Sequence, residues 1–268
     1  MGFFIFYLMP FIGGIYYSLI DNINCYHFVG LHNYVNLLHN AAFLKASLNT
    51  ILFTSICVPL IMVLSLCLAL LLNKNIRGKK LFRTAFISSL VVPVASVALF
   101  WQIIFDISGP LNAQIVAWGG RPVDWMNSDW ARIVILIVYL WKNVGYNMIL
   151  FLAGLQNIPK DYYELAKLEG ANPWQQFMGI TLIYLAPTLF FVLIISIINS
   201  FKVFRETYLI AGDYPHDSIY MLQHYINNSF TVLDYQKLTS AAIIIATLIC
   251  ILIFVLFRIE RKLNNTIG

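Results

Sequence analysis

Residues 48–72 read LNTILFTSICVPLIMVLSLCLALLL, with no charged side chain anywhere in the run. A bilayer's hydrocarbon core is about 30 Å thick and a helix rises about 1.5 Å per residue, so roughly 20 apolar residues cross it. This run is long enough to cross with tilt. Five further apolar runs stand at 3–20, 84–105, 131–153, 180–201 and 239–257. Inside hydrocarbon every backbone N–H and C=O must be satisfied within the segment, which makes each run a helix. The chain is therefore expected to be all-α, an integral membrane protein of six transmembrane helices in one domain over 1–268. Composition agrees: 60% of residues are hydrophobic and 11% charged, where a soluble domain carries about 25% charged.

The charges are distributed unevenly. Lys74, Arg77, Lys79, Lys80 and Arg83 crowd the turn after the second run. A basic cluster between two spans marks a cytoplasmic loop. With six spans, residues 154–179 and the C-terminal tail fall on that same side. They add Lys160, Lys167, Arg258, Arg261 and Lys262, making ten of the seventeen Lys and Arg residues. The expected topology is N-in and C-in, with 202–238 outside. The formal charge of +5 is thus a topological signal, and no nucleic-acid partner is expected.

Several chemistries are excluded. Cys57, Cys67 and Cys250 lie in apolar runs and only Cys25 lies outside them, with no CxxC spacing. His27, His32, His39, His216 and His224 fall in polar segments without a metal-ligand pattern. Gly78-Lys79-Lys80 lacks the rest of a phosphate-binding loop, so no ATPase is carried here. No HExxH, Ser/His/Asp arrangement or paired intramembrane carboxylates are present, and the chain does not read as an enzyme.

One polar stretch, 155–182, interrupts the apolar pattern and spells out two short helices. Pro159 and Asp161 open the first, and Asp161 and Glu164 have capping-box spacing. Gly170 stands where a left-handed cap would end it. Asn172 then caps a second helix, with Pro173 at its first position and Gln175 completing a box. Local chemistry alone is equally met by a well-capped surface hairpin.

Glu164-Leu165-Ala166, then Gly170, then Ile180 and Leu182 resemble the EAA motif of ABC-importer permeases: Glu-Ala-Ala, three residues, Gly, nine residues, Ile-x-Leu-Pro. Leu165 replaces the first Ala and Ile183 replaces the Pro, with Pro187 four residues on. GLHNYVNLL (30–38), NKNIRGKKLFRT (73–84) and FLAGLQNIPKDYYE (151–164) resemble the carbohydrate branch of the family, the maltose and glycerol-phosphate type. The resemblance implies the type I importer permease fold in a bacterial inner membrane. It implies a second homologous permease, two ATPase subunits and an extracytoplasmic binding protein, with membrane lipid around the spans. ATP and Mg would sit on the ATPase, and no cofactor on this chain. It makes 156–179 the coupling element, with Tyr163, Glu164, Leu165, Ala166, Lys167, Glu169, Gly170 and Ala171 at its centre. Glu164 would meet a basic residue of the ATPase, Ala166 would allow close packing, and Gly170 would make the bend. Glu169 reads as a solvated residue. Against the family, the first run starts almost at Met1, so the start is expected to be shortened.

Polar residues within the spans are candidates for the transport path: Lys142, Asn143, Tyr146 and Asn147 in the fourth run, Asn199 and Ser200 at the end of the fifth. Amides and an aromatic ring suit sugar hydroxyls and sugar faces. The same residues suit helix–helix hydrogen bonding, with Gly145 permitting close approach. Lys142 needs water, a partner or the pathway, since an uncompensated charge there costs roughly 2.5 kcal/mol or more. Lys202 and Arg205 follow the fifth run and would share a face if the helix continued. That pair suits an acidic, uronate-bearing sugar; a snorkelling anchor beside Glu206 is the competing reading. The alternative function is a secondary transporter or channel subunit. Against it, no Asp or Glu lies inside a span to bind a coupling ion, Asp106 at a border being nearest.

Overall fold

The computed structural model describes residues 2–21, 27–74 and 77–267, so Cys25 lies outside the described residues. The architecture is a helical bundle. A π-helical turn Phe4–Leu8 leads into α1 (Met9–Ser18). A two-residue antiparallel ladder follows, β1 (Ile20–Asp21) against β2 (His27–Phe28), in the register Ile20 opposite Phe28. Then come α2 (His32–Leu38), α3 (Ala41–Asn73), α4 (Lys79–Val91), α5 (Val94–Phe105), α6 (Pro110–Ala117) and α7 (Ala131–Gln156). The chain closes with α8 (Lys160–Leu168), α9 (Pro173–Gln176), a π turn (Phe177–Thr181), α10 (Leu182–Phe201), α11 (Phe204–Ala211), α12 (Leu222–Thr231) and α13 (Tyr235–Ile267).

Among the described residues, five helical stretches are long and apolar enough to cross a membrane, and the first run forms the shorter apolar helix Phe4–Ser18. α3 begins at Ala41, earlier than the expected 48, because Asn40 caps it by accepting from the Phe43 N–H at 3.1 Å. The expected third span, 84–105, is not one helix. Val92 is extended (ψ 127°) ahead of Pro93, so α4 ends and α5 starts anew. The ring of Pro93 forces that extension on its neighbour and supplies no N–H. Pro59 and Pro187 lie inside α3 and α10 without breaking them.

α3 and α7 pack along most of their length, with α4 and α10 laid against them. Gly145 permits the α4–α7 contact, because a Cβ there would collide with the Phe86 carbonyl oxygen. Gly154 does the same for α10: its Cβ would stand 2.6 Å from Thr188 Oγ1. One apolar core joins Phe53, Ile61, Val97, Ile135, Tyr139 and Ile197, and a second joins Leu72, Phe151, Leu155, Ile158 and Leu185. α13 is the least covered long helix and leaves Leu248, Ile251, Phe254 and Phe257 exposed. Such a face needs an apolar surrounding, which lipid supplies.

The segment 202–238 departs from the expected polar loop, since α11 and α12 occupy much of it. His224 is fully buried in α12 and not in a loop.

Candidate coupling element and transport path

α8 buries none of its residues. Leu168 is 85% exposed, Trp174 65% and Leu165 57%, although all three are large and apolar. Glu164 and Lys167 are exposed on the same short helix, and Ala166 and Ala171 are half-buried. Ties to the bundle run through Tyr163, whose hydroxyl shares a 2.9 Å hydrogen bond with Thr181, and through Ile158 in the second core. The Tyr162 and Tyr184 rings pack at 5.0 Å.

The stop and restart between the two helices are built from local chemistry. Gly170 has φ +81°. The Ala171 N–H donates to Ala166 O at 2.8 Å and the Gly170 N–H to Lys167 O at 3.0 Å, the double closure of a Schellman cap. Asn172 Oδ1 accepts from the Gln175 N–H at 2.9 Å, and Gln175 Oε1 accepts from the Asn172 N–H at 2.8 Å. The second capping box is therefore present. The first is not: Pro159 takes the cap position of α8 and no side chain caps it. Pro159, with φ −59° and an extended ψ of 134°, is the cap from which the helix starts at Lys160. Asp161 thus falls inside the first turn, where its charge meets the positive end of the helix.

At mid-bundle, Lys142 near the centre of α7 forms an ion pair with Glu206 of α11. The two side chains are 19% and 6% exposed. α10 closes at Phe201, where the fifth run was expected to end. The apolar helical stretch continues to Ala211, and the carboxylate it carries goes to Lys142. Lys202 and Arg205 are exposed and do not share a helix, because a turn at 202–203 separates α10 from α11.

The remaining polar residues divide. Asn147 is buried and donates from Nδ2 to Ser196 Oγ at 2.7 Å. Ser200 is buried against Thr54, the two hydroxyls 2.9 Å apart. Tyr139 donates to Ser196 O at 2.9 Å. These bonds join α7, α10 and α3. Asn143, which donates to Tyr139 O at 2.9 Å, Tyr146 and Asn199 stay half-buried. Sequence reasoning missed Glu206, Ser196 and Tyr139. For Glu206 a signal existed: an intramembrane Lys142 demands a countercharge, and Glu206 is the first carboxylate after the fifth run.

At one end of the bundle a cavity of about 760 Å³ is lined by Gln102, Asp106, Asp124, Ile210, Ala211 and His216, among others. Gln102 Nε2 donates to Ile210 O at 2.9 Å and ties α5 to α11. The backbone and side-chain N–H groups of Asn127 hold the Asp124 carboxyl below its usual range. Lys45 does the same for Asp217. Burial pushes His224 down to about 4. Among the described residues, no group of His, Cys, Asp and Glu is placed to hold a metal ion.

A family model described as binding-protein-dependent transport system inner membrane component matches residues 40–265. The chain belongs to this family. Its members are multi-pass membrane permeases of transport systems, not enzymes. The chain is 31% identical to the lactose transport system permease protein LacF of Rhizobium radiobacter, over 88% of this chain and 82% of LacF. It is also 31% identical to the trehalose/maltose transport system permease protein MalF of Thermococcus litoralis, over 96% of this chain and 88% of MalF. Among solved structures, a chain of a bacterial ABC transporter involved in the import of the acidic polysaccharide alginate superposes with TM-score 0.86. It covers 97% of this chain and 91% of that chain at 22% identity, which is a likeness of fold.

Proposed function

We propose that this permease carries an oligosaccharide into the cytoplasm as one of two homologous permeases of an ABC importer. Separate ATPase subunits, holding ATP and Mg, drive it from the cytosol, and an extracytoplasmic binding protein delivers the sugar. Sugar permeases among the relatives support the substrate class. The observation that carries the coupling assignment is the capped α8–α9 element, with Leu165, Leu168 and Trp174 exposed beside Glu164. Exposed large apolar side chains at the end of a bundle suit a partner's groove.

Two capped helices joined by a fixed bend move as a rigid lever, where a slack loop would dissipate a displacement. α9 runs without a break through the π turn into α10. A push on α8–α9 therefore reaches α10. From α10 it passes to α7 through Asn147 and Ser196, and to α3 through Ser200 and Thr54. Closure of the ATPases draws the coupling elements together and turns the path outward; hydrolysis resets it. Asn143, Tyr146 and Asn199 are half-buried groups on this route with the amides and ring a sugar requires. The N-in, C-in orientation follows from the basic turn at 74–83.

The test is sugar uptake into proteoliposomes holding both permeases, the ATPase and the binding protein. Uptake is expected only with ATP and binding protein present. Uptake driven by a proton or sodium gradient without ATP would replace this reading with a secondary transporter.

A further inference from the structure

We infer that the sugar carried by this permease is anionic, and that Glu206 holds the place of its carboxylate while the path is empty. This rests on the importer reading above and names its substrate class.

The argument starts from charge and depth. Lys142 lies near the centre of α7, and the ion pair with Glu206 draws the first turn of α11 to that level. At its other end α11 lines the outer cavity through Ile210 and Ala211. Lys202, in the turn before α11, and Arg205, in its first turn, therefore sit at this deeper level. Both are exposed. Among the described residues neither has an ion pair, and the one nearby carboxylate, Glu206, is committed to Lys142. The pair and the segment that follows α10 thus bring three cations, Lys142, Lys202 and Arg205, and one anion, Glu206, to this depth.

An unpaired cation against lipid at the bilayer centre is costly even on the lower scales. Two of them on adjacent turns are tolerated where they face water or an anion. Guanidinium presents paired N–H groups that match a carboxylate, and a lysine adds a mobile point charge. A neutral sugar needs neither group. A uronate residue meets both, with the half-buried Asn143, Tyr146 and Asn199 left for its hydroxyls.

Glu206 completes the device. A buried Lys142 without a counter-ion is costly, and a second carboxylate can take the place of the first where the displaced Glu206 finds a cation of its own, for which Lys202 and Arg205 stand four residues and one residue before it. The arriving sugar exchanges its own carboxylate for that of Glu206, and α11 is released from α7 in the exchange. The outer cavity carries Asp106 and Asp124. It borders Ile210 and Ala211, whereas Arg205 lies on the exposed face of α11.

The experiment uses the complete importer in nanodiscs. Binding to the permease–ATPase assembly and ATP-driven uptake with the binding protein are measured for di- and trisaccharides of galacturonate, glucuronate, mannuronate and guluronate, beside their neutral counterparts. Uronates are expected to bind and be carried, and the neutral sugars not. Arg205→Gln and Lys202→Gln, both at exposed positions, should each lower uronate uptake about tenfold with the amount of assembled importer unchanged. Glu206→Gln should tighten uronate binding several-fold. The paired variant Lys142→Gln/Glu206→Gln leaves no buried charge behind and should lose uronate uptake about tenfold. Unchanged uptake in that variant would reduce the pair to a structural tie and overturn the exchange. ATP-driven uptake of neutral sugars alone would overturn the anionic substrate while leaving the importer intact. Absence of ATP-driven uptake for every sugar would instead bring down the importer reading.

Discussion

In the proposed coupling element, Gly170 would supply conformation and Glu164 charge. Gly170 adopts φ +81° with open space around it. Replacement is therefore a matter of backbone strain, not of collision, and costs about 1–2 kcal/mol for an ordinary side chain. Gly170→Val should lower ATP-driven uptake at least tenfold, whereas Gly170→Asn, a residue that visits the left-handed region, should keep most of it. Glu164→Lys leaves the fold intact because Glu164 is exposed, and should weaken recovery of the ATPase with the purified permease. Equal uptake by all three variants and the parent would remove the docking role. His224 makes a different prediction. Its Nδ1 accepts from the Met221 N–H at 3.3 Å, its ring lies 4.7 Å from that of Phe204, and Nε2 has no partner. The neutral form is favoured in the fold, with the pKa pushed down to about 4 against an ordinary value near 6.5. The stabilisation is complete above pH 6.5 and is lost as pH falls from there through 4, about 3 kcal/mol in all. Thermal unfolding of the purified permease at pH 7.5 and 4.5 should show this drop, and His224→Phe should flatten it.

At the scale of elements, local chemistry was readable and long-range pairing was not. The α8–Gly170–α9 unit could be read because each signal acts within five residues: a left-handed glycine, an asparagine cap and its reciprocal glutamine. Asp161 misled because Pro159, two residues earlier, claimed the cap. Pro93 interrupts a helix, but sequence cannot separate it from Pro59 and Pro187, which stay inside continuous helices. The outcome depends on whether neighbouring helices hold the chain straight, and that is tertiary information. The same holds for Glu206, whose partner Lys142 lies 64 residues away. Gly145 was read as a place of close approach, and the α4–α7 contact is that place. Gly145→Leu would have to force α4 away from α7 or bend both helices, at a cost of about 1–3 kcal/mol. A fall in Tm of the purified permease is expected, with Gly179→Leu, where the surroundings are open, as the control that leaves Tm unchanged.

For the whole molecule, the two ends of the bundle are chemically distinct, and the difference bears on its orientation. Leu72 at the end of α3, Phe86 in α4, and Ile158 and Tyr163 around α8 belong to one core. The basic turn and α8 thus share an end. At the opposite end, Asn49 near the start of α3 donates to Asp217 O at 2.8 Å, and Arg132 at the start of α7 donates to Ser218 O at 3.1 Å. The segment carrying Asp213 to Tyr220 therefore lies a full helix length from Lys80. The excess of Lys and Arg on the first end supports the proposed cytoplasmic side for it. In a cysteine-free background, Asp213→Cys, at an exposed position, should react with an impermeant maleimide in intact cells. Lys80→Cys should react only after the membrane is opened. The reverse pattern would place α8–α9 outside the cell, beyond the reach of any cytosolic ATPase, and would end the coupling assignment together with the direction of transport.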